Sequence, residues 1–341
     1  MLSKKLLGSK SVGAAPYSGD IAVGHGSSPY ISVYPWSSGF GTKYADPATL
    51  PASTCNAVAF SPDGADIAVG HNNGSRVSAY PWSTGSGFGT KYADPSTSLA
   101  ASGDAVAFSP NGADIAIGYA STPYISVFPW SASGFGTKYA NPSPTPTVVN
   151  GVAFSPDGAD IAAATNLSPY ISVYPWSSGF GTKYANPSTL PSSSGNGVAF
   201  SPDGADIAVA HNNSPYVSVY PWSSGFGTKY TNPSTLPTGN SNGVAFSPDG
   251  ADIAVVHSTS PYISVYPWSS GFGTKYADPS TLPAGTARGV AFSPDGVDIA
   301  VVHSTSPFVS VYPWSSGFGT KYADPSTLPP NTCNGVAFLP A

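Results

Sequence analysis

The chain has 341 residues and carries 12 Lys and Arg against 17 acidic residues, all of them Asp, for a formal net charge of −5. Only 9% of the residues are charged while 40% are hydrophobic, which excludes disorder of the kind that follows from low hydrophobicity and high charge. Glu and Gln are absent and Pro and Gly number 36 and 38; this excludes long helices, and no apolar run approaches the roughly 20 residues of a membrane-spanning helix.

The first twenty residues, MLSKKLLGSKSVGAAPYSGD, are basic, but their only apolar stretch before Gly8 is Leu6-Leu7. That is too short for the apolar core of a secretory signal, so Sec export is not predicted. Seven of the ten Lys recur one per repeat instead of forming a patch, which argues against nucleic acid as a partner.

From there the chain repeats. Pro-Trp occurs at Trp36, Trp82, Trp130, Trp176, Trp222, Trp268 and Trp314, at spacings of 46, 48, 46, 46, 46 and 46 residues. Val-Ala-Phe ends at Phe60, Phe108, Phe154, Phe200, Phe246, Phe292 and Phe338 with the same period. Two markers sharing one period set the count at seven.

One period, residues 196 to 233, shows the predicted elements in order. Gly197 to Phe200 is a short strand closed by Ser201-Pro202-Asp203-Gly204, in which Pro pre-sets φ and Asp-Gly favours a tight turn. Asp206 to His211 places Ile207 and Val209 on one face and Ala208 and Ala210 on the other. Tyr216 to Trp222 sets Val217 and Val219 against Tyr216, Tyr220 and Trp222, and Gly227 to Tyr230 forms a fourth run. Aromatic residues on one face and small ones on the other, with almost no charge on either, predict sheets packed face to face with both faces dry.

Val-Ala-Phe-Ser-Pro-Asp-Gly, a small-apolar strand and a third strand ending in Trp resemble the WD-repeat pattern from about Val12 to Phe338. The resemblance implies an all-β, seven-bladed β-propeller of four-stranded antiparallel blades. The sequence departs from the family in lacking Gly-His before the first strand and in having Pro-Trp where the family has Trp-Asp. The family's Asp-His-Ser-Trp hydrogen-bond network is therefore not carried over.

Val336-Ala337-Phe338 is a first strand with no second strand after it, whereas Asp20 to His25 is a second strand preceded only by Val12-Gly13-Ala14. Phe338 buries far more apolar surface than Ala14, by about 2–3 kcal/mol. The carboxyl-terminal strand is thus expected to complete the blade begun at Asp20, within one propeller domain spanning 16–341. Residues 1–15 are expected to be displaced, disordered or bound to a partner. Cys55 and Cys333 fill the same repeat slot in adjacent blades. They are either a disulfide stapling the seam or two free small residues.

Candidate functional residues mostly follow the repeat. His25, His71, His211, His257 and His303 share one slot at the end of the second strand, held by Tyr119 and Thr165 in the other two blades. Spread around a ring they cannot converge on one ion, so a strand-end surface role is expected and no metal or cofactor is predicted. Seven Asp precede the Ile of the second strand, five sit in the Ser-Pro-Asp-Gly turn and four precede Pro, and all are read as turn caps. The slot two residues before the first-strand Val, namely Asn56, Asp104, Asn150, Asn196, Asn242, Arg288 and Asn334, borders the expected channel mouth. Such a polar ring suits an ion, water or small ligand; Asn is also a common turn residue. Phe226, Lys229 and Tyr230, recurring once per blade, suit weak glycan stacking or outer-strand packing. The connections that vary between repeats, such as Asn72-Asn73-Gly74-Ser75-Arg76 and Pro146-Thr147-Val148-Val149, fall at one end of the ring. That end is the expected binding face.

Tyr-Pro-Trp-Ser-Ser-Gly-Phe-Gly-Thr-Lys-Tyr also resembles uncharacterised propeller proteins of tailed phages and bacteria. That resemblance implies a noncatalytic structural or adhesion module of a virion, a decoration or tail-associated component. Its partners would be other virion proteins or a host surface glycan or protein, and its location the virion, with an extracellular or cell-surface location as the alternative. A bacterial lectin-like or protein-docking propeller is the second reading. A propeller hydrolase is the third, and it requires an asymmetric cluster that breaks the repeat. The residues that break it are Arg76, Asp104, Arg288, Tyr119 and the two Cys, and with so few the sequence points to a protein that is not an enzyme.

Overall fold

A computed structural model describes residues 17–99 and 101–341 of the chain. The described residues form seven antiparallel sheets and no helix. Five sheets contain three strands and two contain four. Blade 2 runs Cys55–Phe60, Asp66–His71, Val77–Ser83 and Gly87–Phe88. Blade 3 runs Gly103–Phe108, Asp114–Tyr119, Ile125–Ser131 and Gly134–Phe135. Blades 4 to 7 begin at Val149–Phe154, Gly195–Phe200, Ser241–Phe246 and Ala287–Phe292. In these four the expected fourth strand shrinks to one bridge, such as Trp222 to Phe226.

Blade 1 is assembled from both ends of the chain. Gly19–His25 pairs with Ile31–Trp36 on one side and with the carboxyl-terminal Cys333–Phe338 on the other, with Ile21 opposite Phe338 and Val23 opposite Val336. The inner strands of blades 2 to 7 and Cys333–Phe338 touch one another in a cycle, so the arrangement is a seven-bladed propeller. Tyr17 seals the joint, its hydroxyl donating to the Leu339 carbonyl at 2.6 Å while its ring meets Phe338 edge-on at 6.0 Å. Residues 1–15, expected to be displaced, lie outside the described residues.

Every residue of the second strand is buried in all seven blades, so both sheet faces are dry. Size is traded across each pair of neighbouring blades. Gly118 accommodates Val149, for a Cβ there would sit 2.4 Å from Val149 Cγ1; Gly24 likewise makes room for the Cys55 sulfur, 2.1 Å from where its Cβ would lie. Aromatic rings fill the outer part of the interfaces in edge-to-face pairs, such as Tyr230 on Trp268 at 5.2 Å and 88°.

Two expectations about polar residues are corrected here. The seven Asp before the second-strand Ile do not cap turns; they stitch blades together. Asp206 accepts the Tyr230 hydroxyl of its own blade at 2.9 Å and the Trp268 indole N–H of the next blade at 2.8 Å. The same pattern recurs around the ring and crosses the chain ends, where Trp36 donates to Asp298 at 2.9 Å. The Asx caps expected in the Ser-Pro-Asp-Gly turns do form, with Asp203 Oδ1 accepting from Ser201 and the Ala205 N–H.

The five His are fully buried, not surface residues. Each Nε2 meets a Ser hydroxyl of the third strand, as in His211 to Ser218 at 3.0 Å and His303 to Ser310 at 3.1 Å. Tyr119 reaches the equivalent Ser126 at 2.8 Å. The slot is therefore an internal latch, and burial pushes His25, His257 and His303 down to about 4.

Candidate site at the channel mouth

Each inner strand contains one β-bulge, and in every blade the residue it leaves unpaired is the ring residue: Asn56, Asp104, Asn150, Asn196, Asn242, Arg288 or Asn334. A bulge re-aims the side chain that it frees, so one repeated backbone irregularity builds the ring. With the inner-strand Gly and Val residues, ring members line a cavity of about 230 Å³ on the channel axis.

Five Asn side chains use their amide in the same way. Asn150 Nδ2 donates to the Gly195 carbonyl at 2.9 Å, Asn196 to Ser241 at 2.8 Å and Asn242 to Ala287 at 2.7 Å; Asn334 donates to Cys55 at 2.7 Å and Asn56 to Gly103 at 3.3 Å. Each bond ties one inner strand to the next blade. The amides are latches first, which supports the structural reading of Asn in this slot.

Asp104 and Arg288 break the series. Asp104 has no N–H to offer; it accepts instead, from Asn56 Nδ2 at 3.1 Å and from the Ser102 hydroxyl at 3.3 Å. Burial raises its carboxyl above the usual range, and these two donors pull the other way. Arg288 is exposed, three blades from Asp104 in one direction around the ring and four in the other. A carboxylate and a guanidinium thus stand on opposite arcs of a ring otherwise made of amides.

Two of the other residues that break the repeat, Arg76 and Tyr119, connect to the surroundings of Asp104. Arg76 donates through a guanidinium nitrogen to the Asn72 carbonyl, and Asn72 Oδ1 accepts from Asn56 at 2.6 Å. Tyr119 pairs with Gly103, the neighbour of Asp104. Asn72 lies in a connection that sequence reasoning placed on the binding face, whereas Ser102 was missed. Ser102 stands two residues before the one ring carboxylate, and that position was the available signal.

The other candidates are committed elsewhere. Tyr230 is bonded to Asp206 and meets Trp268 edge to face, Phe226 lies edge-on to Trp222 at 5.0 Å, and the Lys229 ammonium rests on Asn232 Oδ1. Outer-strand packing therefore uses the aromatic faces that glycan stacking would need. Cys55 and Cys333 are free buried thiols. Because they occupy equivalent slots they point the same way around the ring, Cys55 onto blade 1 beside Ala22 and Cys333 onto blade 7 beside Val302. The disulfide alternative fails on that geometry. Larger clefts exist between blades, one of about 470 Å³ beside Asp160 and Trp222. They recur, as at Asp252 and Trp314, and are floored by paired groups.

No protein-family model and no curated protein matches the chain. Solved structures do. A periplasmic gluconolactonase of Pseudomonas aeruginosa superposes with a TM-score of 0.71 at 18% identity, over 95% of this chain and 99% of the other. Proteins provisionally named 6-phosphogluconolactonase from Bacteroides uniformis and Bacteroides fragilis give TM-scores of 0.68 and 0.72 at 19% and 15% identity. They cover 94% and 96% of this chain and 99% of each other chain. At such identities the likeness establishes the fold. It also overturns the expectation of a noncatalytic virion, adhesion or lectin-like module, because these whole-length counterparts carry enzyme names and none is named a virion protein.

Proposed function

We propose that this propeller is a hydrolase that opens the ring ester of a sugar lactone at the channel mouth. One observation carries the reading: the sevenfold ring of amides is interrupted by a single carboxylate and a single guanidinium that face the same cavity. The lactonase names of its fold counterparts suggest the substrate class. The cavity, about 230 Å³, falls below the roughly 300–1,000 Å³ of drug-sized pockets, which favours one sugar ring over an oligomer.

In this reading Asp104 is the general base. Water attacks the lactone carbonyl carbon, and its proton passes to the Asp104 carboxylate. Arg288 offers N–H donors to the substrate oxygens on the opposite arc. The tetrahedral intermediate then collapses with cleavage of the bond to the ring oxygen, which leaves with a proton as the hydroxyl of the open acid. A carboxyl held above its usual range is a stronger base once ionised.

The test is acid release from the δ-lactone of a six-carbon sugar acid, followed against the spontaneous rate. Acceleration by the wild-type protein, with Asp104→Ala reduced by about 100-fold or more, supports the reading. A wild-type protein that leaves a panel of sugar lactones at their buffer rates ends it.

A further inference from the structure

The ring latches define a position in space as well as a bond. In five seams an amide N–H₂ of one blade sits against the main-chain carbonyl at the start of the next, at Gly103, Gly195, Ser241, Ala287 and Cys55. The seam between blades 3 and 4 has the same bulge on both strands. Its ring residue is Asp104 and its carbonyl is that of Val149. A carboxylate cannot fill a donor position, so this seam brings two acceptors, Asp104 and the Val149 carbonyl, to the positions where five other seams pair a donor with an acceptor.

We propose that this altered latch is the site of the attacking water: one O–H donates to Asp104, the other to the Val149 carbonyl, and a lone pair is left aimed into the channel. The water takes the place that the amide nitrogen holds in five other seams. Val149 is thus a positioning residue that acts through its backbone, and Asp104 is the base that the water already touches. The arrangement rests on the lactone reading for its chemistry. For its geometry it rests only on the ring.

The atoms balance without a further reactant. The water oxygen forms a bond to the lactone carbonyl carbon, its proton moves to Asp104 along the hydrogen bond already made, and that proton later serves the departing ring oxygen.

Two variants separate the proposal from its premise. Asp104→Asn restores an amide able to reach the Val149 carbonyl, whereas Asp104→Ala leaves that carbonyl free. The Asn variant is expected to melt above both the Ala variant and the wild type, by about 2 °C. Added formate, a small carboxylate, is expected to restore hydrolysis at least tenfold in Asp104→Ala but not in Asp104→Asn, where the amide occupies the water position. An Asn variant that melts no higher than the Ala variant, or equal rescue of both by formate, overturns the proposal and leaves the lactone reading intact. A wild-type protein inert towards lactones removes that reading and the water's catalytic role with it. The order of melting is measured without substrate and still judges the latch geometry.

Discussion

The Asn334 amide donates to the Cys55 carbonyl at 2.7 Å, tying the last strand of the chain to the first strand of blade 2 across 279 residues of sequence. Equivalent bonds elsewhere join strands about 45 residues apart. The seam at the chain ends therefore has the same inner bond as four of the other seams. Asn334→Ala is expected to lower stability by about 1 kcal/mol, the value of an ordinary hydrogen bond. Phe338→Ala, which empties a site beside Trp36 and Tyr17, is expected to cost about 3–5 kcal/mol. Urea unfolding of the two variants checks the ranking.

The Tyr-Asp-Trp stitch predicts that position in the chain does not matter. Asp298→Ala leaves the Trp36 and Tyr322 donors without their acceptor, as Asp206→Ala does for Trp268 and Tyr230. Two buried donors left unpaired cost roughly 2–6 kcal/mol together. Both variants should fall by similar amounts in the same denaturant titration. A much larger loss at Asp298 would show that the chain-end seam is weaker than the others.

Acid should unfold the protein through its histidines. Burial holds His25, His257 and His303 near 4 and lowers His71 and His211 as well. The folded state favours the neutral rings, so their contribution is fully present above the unfolded value of 6.5 and is lost as pH falls from there towards 4. Blade 3 already uses Tyr119 in this slot. His303→Tyr should flatten the fall in urea midpoint over that interval, and a slope equal to the wild type's would reject the latch role of His303.

Neither thiol is accessible, and burial raises both above their ordinary value. A thiol reagent should label neither Cys55 nor Cys333 in the native protein and both after unfolding. Reductant should leave the melting temperature unchanged.

If Asp104 is the base, lactone hydrolysis should fall on the acid side of a titration displaced above the usual carboxylate range, because burial favours the protonated acid. The limb should vanish in Asp104→Ala. A pH–rate profile of the two proteins decides it.

The blade count, the strand pattern and the joining of Phe338 to the blade begun at Asp20 were legible because each depends on apolar periodicity, which a repeat displays seven times over. The ring was legible for the same reason: Asp104 and Arg288 stand out against Asn150 or Asn242 in the same slot. What escaped was direction. Nothing in the spelling of Asp206 or His211 says that one side chain reaches into the next blade and the other into its own third strand. Cys55 and Cys333 looked adjacent as slots, yet identical slots in neighbouring blades point the same way and never towards each other. The role proposed for Val149 left no mark in the sequence because it runs through a main-chain carbonyl, which every residue has.

The contact between the Tyr17 hydroxyl and Leu339 makes the start of the first described strand a neighbour of the last one, although 322 residues of sequence separate them. A short linker from Ala341 to Tyr17 is enough to close residues 17–341 into a circle. The circle can then be reopened at an exposed hairpin such as Pro202-Asp203-Gly204, moving the noncovalent seam of blade 1 to blade 5 while every joint between the described blades keeps its partner. Gene order and architecture are in this sense independent: where the reading frame starts is a choice of one hairpin among several interchangeable ones.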